Sequence, residues 1–367
     1  MRSIVVGTAA ALLSALASSP AQAHVGFGMA VDREGRVVFL DSLRSRVCRI
    51  EPDGSLTVLA EGKHGNGLVR DGHGNLYVQH ANQSLWRIAP DGSVSEVAMP
   101  ARNAAPARVG APDECVAVGD EGNLYVSAGN DFYQRSPQLL RIAPSGEVML
   151  IAGGEPGFAD GRGGEARFGH ISSAAWGSDG ALYVADAGHV RRVTLEGEVT
   201  TLAGANQAGV GPGPSALEEG PWRRGDPSAG FGRLFGIAVD ERGVVYVADA
   251  DNFRVCRITS DGSVSTAHRT RWRWKPVGVA VAPGGLFVME RMFVPLPGIL
   301  EGWFETHRIV RVASDGSTET LVSLGGGAGY VIAGALVTIA LVVLLVARPV
   351  LRRRRGARSE LQAACAS

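Results

Sequence analysis

Two groups of residues in this 367-residue chain have the chemistry to hold a ligand. The first is Asn66 and, one repeat further on, Glu114 with Asp113 beside it. Each lies just ahead of an apolar run that opens a repeat. Amide and carboxylate oxygens suit a hard divalent cation such as Ca²⁺, which would polarise a lactone carbonyl or activate water. The matching positions in the other repeats are Phe27, Ser172, Phe235 and Val277. Phe and Val cannot ligate, so Asn66 and Glu114 lack a third partner of the same kind. The second group is Arg271, Trp272, Arg273 and Trp274, which alternate base and aromatic. A nearby apolar stretch, 292–300, is followed by Trp303 and Phe304. Trp beside Arg suits a headgroup interface, so these segments are expected to rest on a membrane or on a membrane partner.

Other chemistry is absent or out of place. No Gly-x-Ser-x-Gly elbow, P-loop or dinucleotide fingerprint occurs in a fitting context. His64, His73, His80, His170, His189, His268 and His307 show no metal-ligand spacing. Cys48 and Cys256 both sit in Val-Cys-Arg-Ile strings, at one place in two distant repeats, so they are not expected to pair.

The elements that must position these residues come from one unit repeated six times between Phe27 and Ser323. Each unit has an apolar run such as Gly236-Ile-Ala-Val-Asp240, a Gly turn, and a strand such as Val244-Val-Tyr-Val-Ala248. A run ending Arg-Ile or Arg-Val follows, then an Asp-Gly turn and an alternating strand such as Val199-Thr-Thr-Leu202. First-turn glycines are Gly35, Gly74, Gly122, Gly180, Gly243 and Gly284; second-turn glycines are Gly54, Gly92, Gly146, Gly197, Gly262 and Gly316. Four short strands per unit of about forty or more residues predict an all-β, six-bladed propeller.

The fourth unit then becomes specific. Ala152-Gly153-Gly154, Gly157-Phe-Ala-Asp-Gly161, Ala166-Arg-Phe168 and Leu182-Tyr-Val-Ala-Asp186 resemble bacterial NHL repeats, as does Tyr246-Val-Ala-Asp-Ala-Asp-Asn-Phe-Arg254 in the fifth. The resemblance implies the propeller and leaves function open, because such propellers serve as sensor ectodomains, assembly modules and enzymes. Around Asn66 and Glu114 the sequence is similar to lactonases of the gluconolactonase family, in which such residues hold a divalent cation. That likeness implies a metal-dependent lactonase or esterase as the alternative reading.

In a four-stranded meander, the second-to-third-strand loop and the loop to the next blade share one face. The long segments 101–112, 129–137, 153–170, 204–232, 268–276 and 291–306 all fall there, whereas the opposite turns are short. Length confined to one rim is what a binding face shows. How the ring closes is left open, since no spare strand precedes Phe27.

The ends suggest export and anchoring. Residues 1–23 read as a signal peptide with an Ala21-Gln22-Ala23 cleavage site, and 24–324 as the ectodomain. Residues 325–327 are a Gly linker, and 328–347 are twenty uncharged positions, enough for one membrane helix. Arg348 and 352–355 then place a basic tail, 348–367, in the cytoplasm. Setting aside Arg2 and, from Leu324 onward, six arginines and Glu360, the ectodomain has 29 basic and 35 acidic residues. That balance argues against nucleic acid. The leading expectation is a non-enzymatic recognition or scaffold module at the cell envelope, binding a protein, glycan or small ligand, with no obligatory cofactor.

Overall fold

The computed structural model describes residues 28–63, 65, 67–79, 84–99, 112–119, 121–129, 136–204, 230–295 and 303–325, with backbone alone at 112–115, 293–295 and 303–305. The expected signal peptide, linker, membrane helix and tail lie outside these, apart from Gly325. Among the described residues, no helix is long and apolar enough to cross a membrane.

The described residues form six antiparallel sheets, each built on a meander of four consecutive strands. Their first strands are Met29–Val31, Gly67–Arg70, Pro112–Val118, Ile171–Trp176, Leu234–Val239 and Trp274–Ala282. Each first strand packs against those of the two neighbouring blades, and the first meets the sixth. The protein is therefore a six-bladed propeller, as its repeats predict. Closure needs no exchanged strand, because every blade draws its strands from one continuous stretch of chain. The join is tight: the position a Cβ would take on Gly35 lies 3.0 Å from the ring of Pro283 in blade six.

Turn chemistry explains the register. All six second-turn glycines have φ between 81 and 86°, a region that other residues enter at a cost. Asp53, Asp91, Asp261 and Asp315 precede four of them, and each accepts the N–H of the Ser two residues on. In the first-turn set, Gly35, Gly74, Gly122, Gly180 and Gly243 also have positive φ. Blade six differs: Pro283 and Gly284 make a two-residue turn, and Gly285 takes the positive φ of 125°.

The blades pack through apolar faces of their middle strands. Val37–Asp41, Leu124–Ala128 and Leu182–Asp186 are buried along their whole length. Strands buried on both faces read as continuous apolar runs. Polar side chains add cross-links between blades. Trp176 Nε1 donates to Val118 O at 3.0 Å, and Ser172 Oγ donates to Leu234 O at 2.9 Å.

Three expected loops are something else. Within 153–170, Gly161–Arg162 pairs with Glu198 and Val199, making a fifth, outer strand on blade four. The segment 268–276 shrinks to a turn of four residues, because Val264–Arg269 and Trp274–Ala282 extend to meet it. Most of 291–306 is strand, belonging to Gly285–Pro295 and Trp303–Val312, whose aromatic and β-branched residues favour extended chain. Residues 292–307 and 324–367 form a second unit, apart from 1–291 with 308–323. Its described part is strand, held by Thr306 Oγ1 donating to Leu324 O at 3.1 Å.

Candidate functional site

The carboxylates best placed to face a ligand on the long-loop side are already engaged. Asp41, Asp186 and Asp249 end the second strands of blades one, four and five, Glu290 holds the equivalent repeat position within the longer second strand of blade six, and all four are buried. Each pairs with an arginine of its own blade's third strand: Arg46, Arg191, Arg254 and Arg308. Asp186 also accepts the N–H groups of Gly169 and His170 at 2.7 and 2.9 Å. Asp249 accepts Gly232 N–H and the Asn252 amide. Burial still pushes both aspartates above the ordinary carboxylate range, against the pull of these donors. These groups brace their own blades and have little capacity left for a cation.

Blade four shows this at its most developed. Arg191, 1% exposed, bonds Asp186, the carbonyls of Arg167 and Ala159, and Asp160. Its guanidinium lies 5.5 Å from the Phe168 ring centre. Thus the Gly157-Phe-Ala-Asp-Gly161 and Ala166-Arg-Phe168 motifs form a strap closed on a buried cation. The strap and the outer strand border an open groove of about 670 Å³, lined by Asp160, Arg162, Glu196 and Thr200 among others.

At the channel mouth, Asn66 lies outside the described residues. Asp113 and Glu114 are placed by backbone on Pro112–Val118, where Glu114 stands opposite Ser127; their side chains lie outside the description. The Ser172 hydroxyl donates to Ala185 O or Leu234 O. Val277 is buried and Phe235 is packed against the core of blades five and six. Among the described residues, no three His, Cys, Asp or Glu side chains cluster to hold a metal. Cys48 and Cys256 are separate, buried thiols.

The 271–274 cluster is a built feature. Trp274 N–H donates to Arg271 O at 3.0 Å, closing a turn with Trp272 and Arg273 at its apex. Arg273 has φ of 75°, the value that the third position of a type II turn requires and that Gly or Asn usually supplies. Thr270 anchors the turn: its N–H and hydroxyl reach Phe253 O, and its hydroxyl lies 2.5 Å from Trp274 O. Phe253 itself has φ of 53°, which aims that carbonyl at Thr270.

The turn separates the four residues the sequence groups together. Trp272 is 69% exposed, and Arg271 and Arg273 are exposed beside it, with the Arg273 guanidinium 5.0 Å from the Trp272 ring centre. Trp274 turns inward, where Arg308 stacks 4.2 Å from its ring. Trp303 begins the strand Trp303–Val312, with its side chain outside the description. Residues not singled out from sequence support the turn. Glu290 binds Arg308 on one side and His268 Nε2, at 2.9 Å, on the other, tying blade six to blade five. Lys275 Nζ reaches Asp251 at 3.0 Å. Aligning the repeats would have exposed Glu290, because it stands where Asp41, Asp186 and Asp249 stand.

No family model matches the chain, and no curated protein matches it. Solved structures do. A gluconolactonase from Xanthomonas campestris matches with a TM-score of 0.50 and 17% identity, over 73% of this chain and 83% of that one. A calcium-binding protein, regucalcin, from Agrobacterium tumefaciens gives 0.48 and 14%, over 72% and 82%. Virginiamycin B lyase from Staphylococcus aureus gives 0.46 and 17%, over 82% and 85%. At 17% identity the gluconolactonase match speaks for the propeller fold.

Proposed function

We propose that this chain is a membrane-anchored recognition module of the cell envelope whose contact surface is the 271–274 turn on the long-loop face. One observation carries the reading. The most exposed large apolar side chain of the described residues, Trp272, stands on a hydrogen-bonded turn between two exposed arginines. A rigid aromatic flanked by guanidinium groups is what binding hot spots are made of. Arg273 holds a left-handed conformation that costs about 1–2 kcal/mol, and such strain persists where the surroundings enforce it and function uses it. The carboxylates of the same rim are spent on structural pairs, which weighs against a catalytic role for them.

Photocrosslinking tests this. A benzophenone side chain at position 272 of the full-length protein, in its own membranes, should give a discrete adduct on irradiation. The same group at Leu195, exposed on the short-turn face, should give none. Equal labelling at the two positions, or none at either, would end the proposal.

A second reading has its own support. The gluconolactonase neighbour, together with the oxygen-bearing residue types of Asn66 and Glu114, favours a divalent-metal-dependent hydrolase acting on lactones or esters. Asn66 and Glu114 would hold the cation, which would polarise the carbonyl under attack. Ca²⁺ takes six to eight oxygens, so backbone, water or substrate would supply the rest.

A further inference from the structure

The geometry points to a partner for the 271–274 turn: an anionic lipid surface. This inference rests on the recognition reading above and names its ligand.

Three arginines converge at the turn. Arg269, Arg271 and Arg273 are all exposed, and among the described residues no carboxylate pairs with them. The arginines of the third strands, Arg46, Arg191, Arg254 and Arg308, each have an acidic partner instead. Guanidinium groups left without counter-charge around an exposed indole match a surface that is negative outside and apolar beneath. Trp prefers the headgroup level, where its ring is half in hydrocarbon and its N–H stays wet.

The opposite face carries the reverse charge. Each blade's second short turn exposes a carboxylate: Asp53, Asp91, Glu147, Glu196, Asp261 and Asp315. A negative bilayer attracts the arginine turn and repels this ring, so the propeller has one preferred face toward the lipid. Chain direction agrees. The last strand of blade six, Thr318–Gly325, runs the same way as Val264–Arg269 of blade five, so both end on the long-loop face. Residues 328–347, the proposed membrane helix, follow within three residues. A membrane helix joined to this strand would keep that face near the bilayer and raise its effective concentration there.

Each basic residue near an anionic surface contributes about 1 kcal/mol, or roughly fivefold in binding, and the effect is lost within a Debye length. The docking is therefore a salt-sensitive contact of one turn, and the helix provides the permanent attachment.

The test uses the full chain reconstituted in vesicles with brominated acyl chains, read by tryptophan fluorescence. In phosphatidylglycerol-containing vesicles, bromine should quench the part of the emission that Trp272→Phe removes. The quenching should weaken in phosphatidylcholine alone, in high salt, and by at least roughly fivefold in the pair Arg271→Glu with Arg273→Glu. The salt titration needs no substitution, so the test survives misfolding of the double variant. Full access of Trp272 to aqueous iodide, with no bromine quenching in either vesicle, overturns the inference. If a protein adduct still forms at position 272, the recognition reading stands without lipid; if no adduct forms, both fall.

Discussion

Arg191 carries a full charge in a site that admits almost no water. An unpaired ion there would cost several kcal/mol, and the cost is offset because both terminal nitrogens of the guanidinium meet acceptors, while the buried Nε has none among the described residues. Asp186 lies 3.0 Å away, Asp160 2.8 Å, and the Ala159 carbonyl 2.8 Å. Replacing Arg191 by Met keeps the volume and leaves Asp186 buried without its cation. Arg191→Met should lower the unfolding free energy by about 3–5 kcal/mol in urea titration. A loss under 1 kcal/mol would mean that the strap is held by its apolar contacts instead. Trp274 and Trp272 show the same lesson at the rim. One is consumed by Arg308 and the other is presented, although the sequence around them is a simple alternation.

The Asp-Gly-Ser turns are the smallest independent elements of the propeller, and their behaviour in acid follows from their hydrogen bonds. Asp261 accepts from the Thr259 hydroxyl, the Ser263 N–H and the Ser263 hydroxyl, which pull its carboxyl down to about 2. The unfolded value is about 3.9. A carboxylate with a depressed folded pKa stabilises fully above the unfolded value, and its contribution fades as pH falls from about 4 toward 2. Carboxyl NMR should place the Asp261 midpoint near 2. A midpoint near 4 would mean that the turn is open in solution. Turns of this kind are legible in sequence because donor and acceptor lie within four residues. The strap is not, because Gly161 meets Val199 across a blade's length of chain, and nothing local tells an outer strand from a loop.

At the scale of the ring, the question is what the central channel does. Its wall is assembled from six first strands, pressed so close that a Cβ on Gly236 would stand 2.8 Å from the Gly278 Cα. Whatever binds at the mouth is gripped by several blades at once and should stabilise the whole ring. A ligand bound only by the folded state adds about 2.7 kcal/mol at a hundredfold excess over Kd. The hydrolase reading therefore expects the melting temperature to rise by several degrees when Ca²⁺, Mg²⁺, Mn²⁺ or Zn²⁺ is restored after chelation. The rise should vanish in Asn66→Ala with Glu114→Gln, and lactone hydrolysis should vanish with it. A flat response to all four cations would retire that reading.

The sequence by itself determined the number of blades and the place of nearly every turn. These follow from a period of two along strands and from glycine's tolerance of positive φ, both local. Only the tertiary structure decided which polar residues remain available. The Ser172 hydroxyl is taken up by Leu234 O, sixty-two residues away, and Glu290 by His268 and Arg308 on neighbouring strands. Blade six's one-residue shift from Gly284 to Gly285, and the shortening of 268–276 to a tight turn, were likewise settled by strand lengths. Hydrogen-bond partners at such separations are set by packing, and packing is what a linear pattern of residue types leaves unspecified.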